Sequence, residues 1–142
     1  MGQVIGINTA IYSQSGGYDG LGFAIPIDSA KPVVEQLIAT GSVTYPWLGI
    51  SGATLDPETA KSYGLPIEEG AIVSSVIPNT PAAAAGLERS DIIVAIDDTP
   101  IASMDQLVKD IREHEVGDTV TITYYRGDEK RETTAVLEEK PN

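Results

Sequence analysis

The chain has 142 residues, of which 42% are hydrophobic and 21% are charged, as in ordinary folded globular proteins. Its 21 acidic and 9 basic residues give a formal net charge of −12, which repels phosphate backbones and anionic lipid headgroups. We therefore expect no nucleic-acid partner, and no membrane insertion either, because no apolar run approaches the roughly 20 residues that span a bilayer.

The first part of the chain is predicted to contain two strands and a helix. Val4–Ile11 is rich in β-branched residues and indicates a mostly buried strand, and Gly22–Pro26 resumes a strand after the glycine-rich loop Ser13–Gly20. Asp28 or Ser29 can cap the helix that follows, because their side-chain oxygens accept hydrogen bonds from the free N–H groups of the first turn.

The middle of the chain predicts two strands and two short helices. A strand begins at Leu48, and Asp56 then caps a short helix that ends at Gly64. Ala71–Ile77 is apolar and β-branched enough for a second strand. A proline-containing turn leads into a short alanine-rich helix, which ends at Gly86.

The last third predicts a strand, an amphipathic helix and a hairpin. Asp91–Ile96 has the composition of a central strand. Ser103 and Gln106 match a capping box, in which each side chain bonds the other residue's free N–H group at the start of a helix. Thr119–Tyr125 and Lys130–Leu137 are separated by a short turn sequence and predict two paired strands.

From Tyr45 onward the pattern contains about five strands, two short helices and one longer helix. It shows neither the strand–helix–strand alternation of a parallel sheet nor an internal repeat. We therefore predict a mainly β, α+β fold: a partly open barrel or sandwich of about five strands, capped by helices.

Two stretches of this region, Tyr45–Ile50 and Ala85–Ile93, resemble the PDZ domain of HtrA-type (Deg-type) serine proteases. Upstream, Val4–Thr9, Gly22–Pro26 and the helix with Lys31–Val34 resemble the last strands and closing helix of the same family's trypsin-like protease domain. The order of these blocks is more specific than any one of them. The resemblance covers nearly the whole chain.

This resemblance implies a division of the chain into three parts. Residues 1–44 would be the C-terminal remnant of a chymotrypsin-like β-barrel, residues 45–139 a PDZ domain, and residues 140–142 a tail. The pattern of the last five residues, 138–142, predicts frayed backbone.

The catalytic residues of the family would all precede the Val4–Thr9 strand, so we expect this chain to have none. Ser15 sits in a sequence that superficially mimics the family's nucleophile turn, but it lacks the Gly-Asn lead-in. The sole histidine, His114, cannot serve as its base in any arrangement that the family resemblance implies. Cysteine is absent, which excludes thiol chemistry, and we predict no cofactor and no metal. The intact parent protein would be a serine endopeptidase.

The resemblance also implies a peptide site beside the turn at Leu48, Gly49 and Ile50. Their backbone N–H groups would hold a peptide's terminal carboxylate, since a glycine lets successive amides converge on one point. The peptide would add a strand to residues 50–53, opposite the helix 104–114. The candidate peptide-binding residues of this turn, edge and helix are Trp47, Leu48, Gly49, Ile50, Ser51, Leu107, Val108 and Ile111, with Met104 as a further candidate.

The function that this site implies is capture of hydrophobic C-termini of unfolded or target proteins, in protein quality control at a periplasmic or cell-envelope location. The implied partners are such C-terminal peptides, the chain's own protease domain and a second copy in a homo-oligomer. Trp47 could instead fill the junction between the two domains. The alternative function is an oligomerisation or interdomain contact module that binds no free peptide.

Overall fold

The structure is a computed structural model that describes residues 2–12 and 21–141. The predicted loop Ser13–Gly20, with Ser15, lies outside these described residues. The chain divides into two compact units, residues 1–43 and residues 44–142, and each is described by itself.

The first unit is a two-stranded antiparallel sheet followed by a helix. Strand β1 (Gly6–Tyr12) pairs with β2 (Leu21–Pro26), and helix α1 runs over Ile27–Thr40. Gly41 ends this helix in the left-handed conformation at φ +74°, and its N–H donates to Leu37 O. That conformation costs glycine little because it has no Cβ.

The predicted helix cap at Asp28 or Ser29 is wrong. Helix α1 begins at Ile27, with Pro26 in the capping position and no side-chain cap. The reason lies beside the sheet, because the Ile27 N–H donates to Ile5 O, just before β1, at 3.0 Å. One free N–H group of the first turn is thus satisfied by this backbone segment, and the helix starts directly after β2.

The second unit contains the remaining three helices and eight strands of the described chain. Its elements are β3 (Pro46–Trp47), β4 (Ile50–Leu55), α2 (Pro57–Tyr63), β5 (Gly70–Val76), α3 (Pro81–Ala84), β6 (Ile92–Ile96), β7 (Thr99–Pro100), α4 (Met104–Glu113), β8 (Thr119–Arg126), β9 (Glu129–Val136) and β10 (Glu138–Glu139).

The main sheet of the second unit has the strand order β4-β5-β6-β8-β9, with β7 also paired to β6. All of these pairs are antiparallel. The sheet is open, so β4 and β9 lie at its two edges. The predicted mainly β fold with capping helices is therefore confirmed.

The helix caps follow the sequence closely at α2 and in part at α4. Asp56 Oδ1 accepts the Thr59 N–H at 2.8 Å, as its position before a proline predicts. Ser103 Oγ accepts the Gln106 N–H at 3.1 Å, but Gln106 Oε1 accepts the N–H of Ala102 and not that of Ser103. The capping box is only half formed because the Gln106 amide also donates to Pro100 O, which draws it towards the preceding segment.

The core of the second unit lies between the sheet and helices α3 and α4. The side chains that fill it are at most 6% exposed, and include Leu48, Val73, Leu87, Ile93, Ile96, Leu107, Ile111, Val120, Ile122 and Leu137. Within the described part of the chain, no helix has the length and apolar character needed to cross a membrane.

An ion pair with a buried carboxylate joins β8 to the loop before β6. Asp91 is 0% exposed, and Arg126 donates to its two carboxylate oxygens from Nε and Nη2, both at 2.8 Å. The same guanidinium donates to Gly86 O at 2.8 Å and to Glu88 Oε1 at 2.9 Å. The Glu88 N–H donates to Asp91 as well, so this network fixes the connection between α3 and β6.

The predicted fraying of residues 138–142 is wrong for the first three of them. Glu138 pairs with Trp47 and Glu139 with Pro46, which makes β10 the antiparallel partner of β3. The Lys140 N–H then donates to Tyr45 O at 2.9 Å. Pairing with β3 satisfies backbone groups that a free tail would leave to solvent.

Candidate functional site

The turn between β3 and β4 is held by its carbonyl groups. Leu48 O accepts the Ala82 N–H at 2.8 Å, and Gly49 O accepts the Ile77 N–H at 2.9 Å. Among the described residues, the N–H groups of Leu48 and Gly49 have no such partner. These two amide donors therefore take no part in the hydrogen bonding of the described fold, and they are available to a ligand.

Ile50 adds a third free donor by its place in the sheet. Since the Ile77 N–H donates to Gly49 O, the facing pair Ile50–Val76 is a non-hydrogen-bonded pair of the antiparallel ladder. In such a pair the N–H and C=O of each residue point away from the partner strand. The Ile50 N–H is thus directed to the free edge of β4.

Gly49 cannot be replaced without moving a buried neighbour. Its φ is +87°, which L side chains rarely adopt. A Cβ built on it would overlap the Thr80 side chain, with Cγ2 only 2.6 Å away. Thr80 is 5% exposed and its hydroxyl donates to Ile77 O at 2.7 Å, so it has little room to move.

An apolar pocket of about 350 Å³ opens beside this turn, between β4 and α4. Its floor is formed by Leu48, Leu107 and Ile111, which are at most 6% exposed. Val108 is 39% exposed and Met104 is partly buried, and both line the pocket farther out. The amphipathic face of α4 therefore serves the core and the pocket at once.

Seven of the eight predicted site residues lie together around this pocket: Trp47, Leu48, Gly49, Ile50, Leu107, Val108 and Ile111. Ser51 does not line it. Its hydroxyl lies 2.8 Å from Ser75 Oγ on β5, because successive side chains of a strand point to opposite faces and Ile50 takes the pocket side. Trp47 is half-buried and pairs with Glu138 through its backbone.

Four further pocket residues, Tyr45, Pro46, Arg112 and Lys140, were not among the predicted ones. The Arg112 guanidinium lies over the Tyr45 ring, 5.6 Å from its centre. Tyr45 and Pro46 directly precede the predicted turn, and Arg112 follows Ile111. Their positions next to predicted site residues could therefore have indicated that they line the pocket. Lys140 reaches the site only through the β3–β10 pairing, which no local pattern reveals.

A second cluster of charges surrounds His114 at the C-terminal end of α4. Its ring nitrogens lie 3.8 Å from Asp110 Oδ2 and 3.9 Å from one carboxylate oxygen each of Asp97 and Asp118. Even so, no group of His, Cys, Asp or Glu in the described ranges is arranged to hold a metal ion. None of these four residues lines the pocket.

Burial raises the pKa of the Asp110 carboxyl above its ordinary value, and the attraction of His114 offsets only part of this effect. The Asp110 Oδ2 atom is buried and has no hydrogen-bond partner among the described residues. A folded-state pKa above the unfolded-state value means that the folded protein binds this proton more tightly. The contribution of Asp110 to the free energy of unfolding is therefore lost as the pH rises through its titration range.

We expect Asp110→Asn to raise the free energy of unfolding at neutral pH, because it removes a charge that the fold disfavours. The gain should shrink at acid pH, where the wild-type carboxyl is protonated too. Urea denaturation at the two pH values measures both effects. The control Asp105→Asn, exposed in the first turn of the same helix, should be neutral or slightly destabilising; a gain from both variants would contradict the explanation.

Comparisons with known proteins agree with this geometry. The PDZ domain family matches residues 46–137. A protein named probable periplasmic serine endoprotease DegP-like, from Marinomonas sp. (strain MWYL1), is 38% identical over 99% of this chain and 30% of its own length. Another of that name, from Chlamydia trachomatis serovar D, is 48% identical over 75% of this chain and 21% of its own length.

Solved structures of serine proteases are similar to this chain as well. An HtrA-type protease, AlgW, described with a decapeptide, has a TM-score of 0.88 and 37% identity over 98% of this chain and 43% of its own. A serine endoprotease from Yersinia pestis has a TM-score of 0.76 and 29% identity over 99% of this chain and 44% of its own. The chain spans between 21% and 30% of the length of the curated relatives it matches. Since the family match covers more than half of its residues, the chain belongs to the PDZ domain family.

Proposed function

We propose that the second unit captures the C-termini of proteins. The terminal carboxylate binds to the N–H groups of Leu48, Gly49 and Ile50, and the last side chain enters the apolar pocket. The observation that carries this proposal is the set of free amide donors at the mouth of a pocket with an apolar floor. Oriented backbone amides of this kind form a favourable site for an anion.

The free edge of β4 supports binding of the peptide as an added strand. Among the residues that the structure describes, β4 pairs with β5 alone, and Ile50 directs its backbone groups to the unpaired side. Farther along, the Met104 N–H donates to Thr54 Oγ1 at 3.1 Å, which holds the start of α4 close to β4. The open part of the groove is therefore short, and it suits the last few residues of a peptide.

The expected affinity is modest. Burying a Leu- or Val-sized side chain contributes roughly 1.5–3 kcal/mol, and hydrogen bonds to a charged carboxylate add to this. Ordering a flexible peptide opposes both contributions. We therefore expect a Kd in the micromolar range, which corresponds to a binding free energy of about −8 kcal/mol. Two AlgW structures described with a decapeptide and with a tripeptide support a peptide as the ligand class.

The test compares a peptide that ends in a free carboxylate and an apolar residue with the same peptide as its amide. We expect amidation to weaken binding at least about tenfold, because a neutral amide loses the charge-assisted hydrogen bonds. Trp47 is the only tryptophan and lines the pocket, so its fluorescence reports binding directly. Equal affinities for the two peptides would rule out carboxylate recognition by the turn.

For the whole protein, we propose a periplasmic serine endopeptidase, in which residues 1–44 belong to a trypsin-like protease domain and residues 45–139 to the PDZ domain. The names of the relatives support this proposal, since they describe periplasmic serine endoproteases that are longer than this chain. The PDZ domain would then deliver bound proteins to a protease domain. This protease domain would lie in the same molecule or in another subunit of a homo-oligomer.

A second candidate function is a contact module, and the surface of the first unit favours it. Several apolar side chains there are more than 60% exposed, which is typical of surfaces that bind other protein segments: Val4, Ile5, Phe23 and Ile38. Sedimentation of the chain with and without residues 1–43 tests this function. A monomer in both cases would dismiss it, and the peptide-binding proposal would stand.

A further inference from the structure

The pocket differs in charge from the protein as a whole. The chain has 21 acidic and 9 basic residues, and its net charge is −12. Among the residues that the structure describes, however, the charged side chains that line the pocket are those of Arg112 and Lys140, and no Asp or Glu lines it. We call these two residues the cationic rim. An acidic protein thus has positive charge at the site where it would bind an anion.

Arg112 lies at the end of the groove that holds the free amides. The Met104 N–H donates to Thr54 Oγ1, so the start of α4 lies beside the far end of β4. The other end of α4, with Arg112, lies beside the turn at residues 48–50, and both line the same pocket. A terminal carboxylate on these amides is therefore at the same end of the groove as the guanidinium.

Lys140 approaches the same end from a distant part of the sequence. It directly follows β10, which pairs with β3, and β3 ends at the residue before Leu48. The Lys140 N–H donates to Tyr45 O at 2.9 Å, and Tyr45 also lines the pocket. Both members of the cationic rim therefore stand next to the turn and not along the groove.

The described part of the protein does not neutralise the cationic rim. Over residues 2–12 and 21–141, no carboxylate lies within 4.0 Å of the charged nitrogens of Arg112 or Lys140. The acidic residues beside them in the sequence, Glu113 and Glu139, do not line the pocket. Both side chains of the rim are exposed, and the Arg112 guanidinium lies over the Tyr45 ring. Their charges are thus available to an anion in the pocket.

The dimensions of the pocket bring these charges within reach of such an anion. A rounded cavity of about 350 Å³ is roughly 9 Å across, and the Debye length at 0.1 M ionic strength is about 10 Å, so screening inside it is incomplete. In the described ranges no acidic residue lines the pocket, so the repulsion from the acidic residues acts from farther away and is screened more strongly. The cationic rim therefore dominates the potential at the free amides.

We propose that the cationic rim selects the ionised carboxylate of a protein chain end over an uncharged peptide segment. The N–H groups of residues 48–50 supply the hydrogen bonds, and Arg112 and Lys140 supply an attraction that depends on charge. This inference rests on the proposed function and adds two specificity-determining residues to it. Internal segments and amidated ends lack the charged group, so they gain nothing from the rim.

The experiment measures how strongly each variant prefers a free-acid peptide with an apolar last residue to the amide of the same peptide. The double variant Arg112→Gln and Lys140→Gln should bind the free acid roughly fivefold more weakly than the wild type does, as expected for the loss of two exposed charge interactions. Its affinity for the amide should stay close to that of the wild type. Added salt should reduce the preference more in the wild type than in the double variant, because it screens the rim. Trp47 fluorescence gives the dissociation constants.

Two control variants separate the charge of the rim from its structural role. The exchange variant Arg112→Lys with Lys140→Arg keeps both positive charges and should keep most of the preference for the free acid. The distant variant Arg89→Gln with Lys61→Gln removes the same two residue types from exposed positions outside the pocket, and it should also keep most of the preference. Thermal unfolding of each variant separates a folding defect from a binding defect.

The possible failures are distinguishable. The selection by the cationic rim is overturned if the double variant keeps the wild-type preference, or if its affinities for the two peptides fall by the same factor. It is also overturned if either control variant loses the preference as fully as the double variant does. In each of these cases the proposed function stands. If the wild type binds the free acid and the amide equally, the proposed function itself fails.

Discussion

Replacing Arg126 with alanine is expected to lower the free energy of unfolding by roughly 3–5 kcal/mol, because it leaves a buried charge without its partner. Asp91 is 0% exposed and would keep only the Glu88 N–H of its present hydrogen bonds to the described residues. The hydrogen bonds to Asp91 also raise the pKa of Arg126 above its ordinary value, so the guanidinium stays charged in the fold. A loss of this size can unfold a small domain.

Urea denaturation followed by Trp47 fluorescence measures this loss. Arg126→Lys should fall between the wild type and the alanine variant, since lysine keeps the charge but cannot make the two parallel hydrogen bonds. Arg131→Ala serves as the control, because Arg131 lies on the next strand, is exposed and pairs only with the exposed Glu129 among the described residues. If Arg126→Ala and Arg131→Ala had similarly small effects, the ion pair of Arg126 with Asp91 would not have the stabilising role assigned to it.

Gly49→Ala is expected to abolish peptide binding and also to destabilise the second unit by roughly 2–4 kcal/mol. Two effects combine: alanine is strained at φ +87°, and its Cβ would overlap Thr80. Relief of the overlap must displace either Thr80, which caps α3, or the turn that presents the free N–H groups. Titration with the free-acid peptide well below the unfolding temperature measures the loss of binding.

Gly117→Ala separates these two effects. Gly117 has φ +98°, but a Cβ added to it would have nothing within 4 Å. This control should show the cost of the strained conformation alone, and it should leave peptide affinity unchanged because Gly117 does not line the pocket. If Gly49→Ala kept wild-type affinity, the conformation of the turn could not be what recognises the ligand.

Local signals in the sequence predict much of this fold. Asp56 before a proline and Gly64 give both ends of α2, and Ser103 gives the start of α4. These residues act on the backbone within one turn, so their effect does not depend on the tertiary structure. The grouping of the turn with one face of α4 was also predictable, but only through a resemblance to a known family.

The parts that were not predicted depend on contacts between distant residues. Helix α1 begins early because the carbonyl of Ile5, just before β1, accepts the Ile27 N–H. Ser51 turns away from the pocket because the register of β4 against β5 assigns its face. The approach of Lys140 requires pairing between strands more than ninety positions apart. No window of local sequence contains the information for such pairings.

The antiparallel pairing of β3 with β10 has a consequence for chain connectivity. It brings the first and last strands of the second unit together, so the two ends of this unit leave the fold as neighbours. Joining those ends and opening the chain at the exposed Gly127–Asp128 turn would give a circular permutant with nearly the same set of contacts. The groove therefore depends on which strands lie next to each other in the sheet, and not on the order of those strands along the chain.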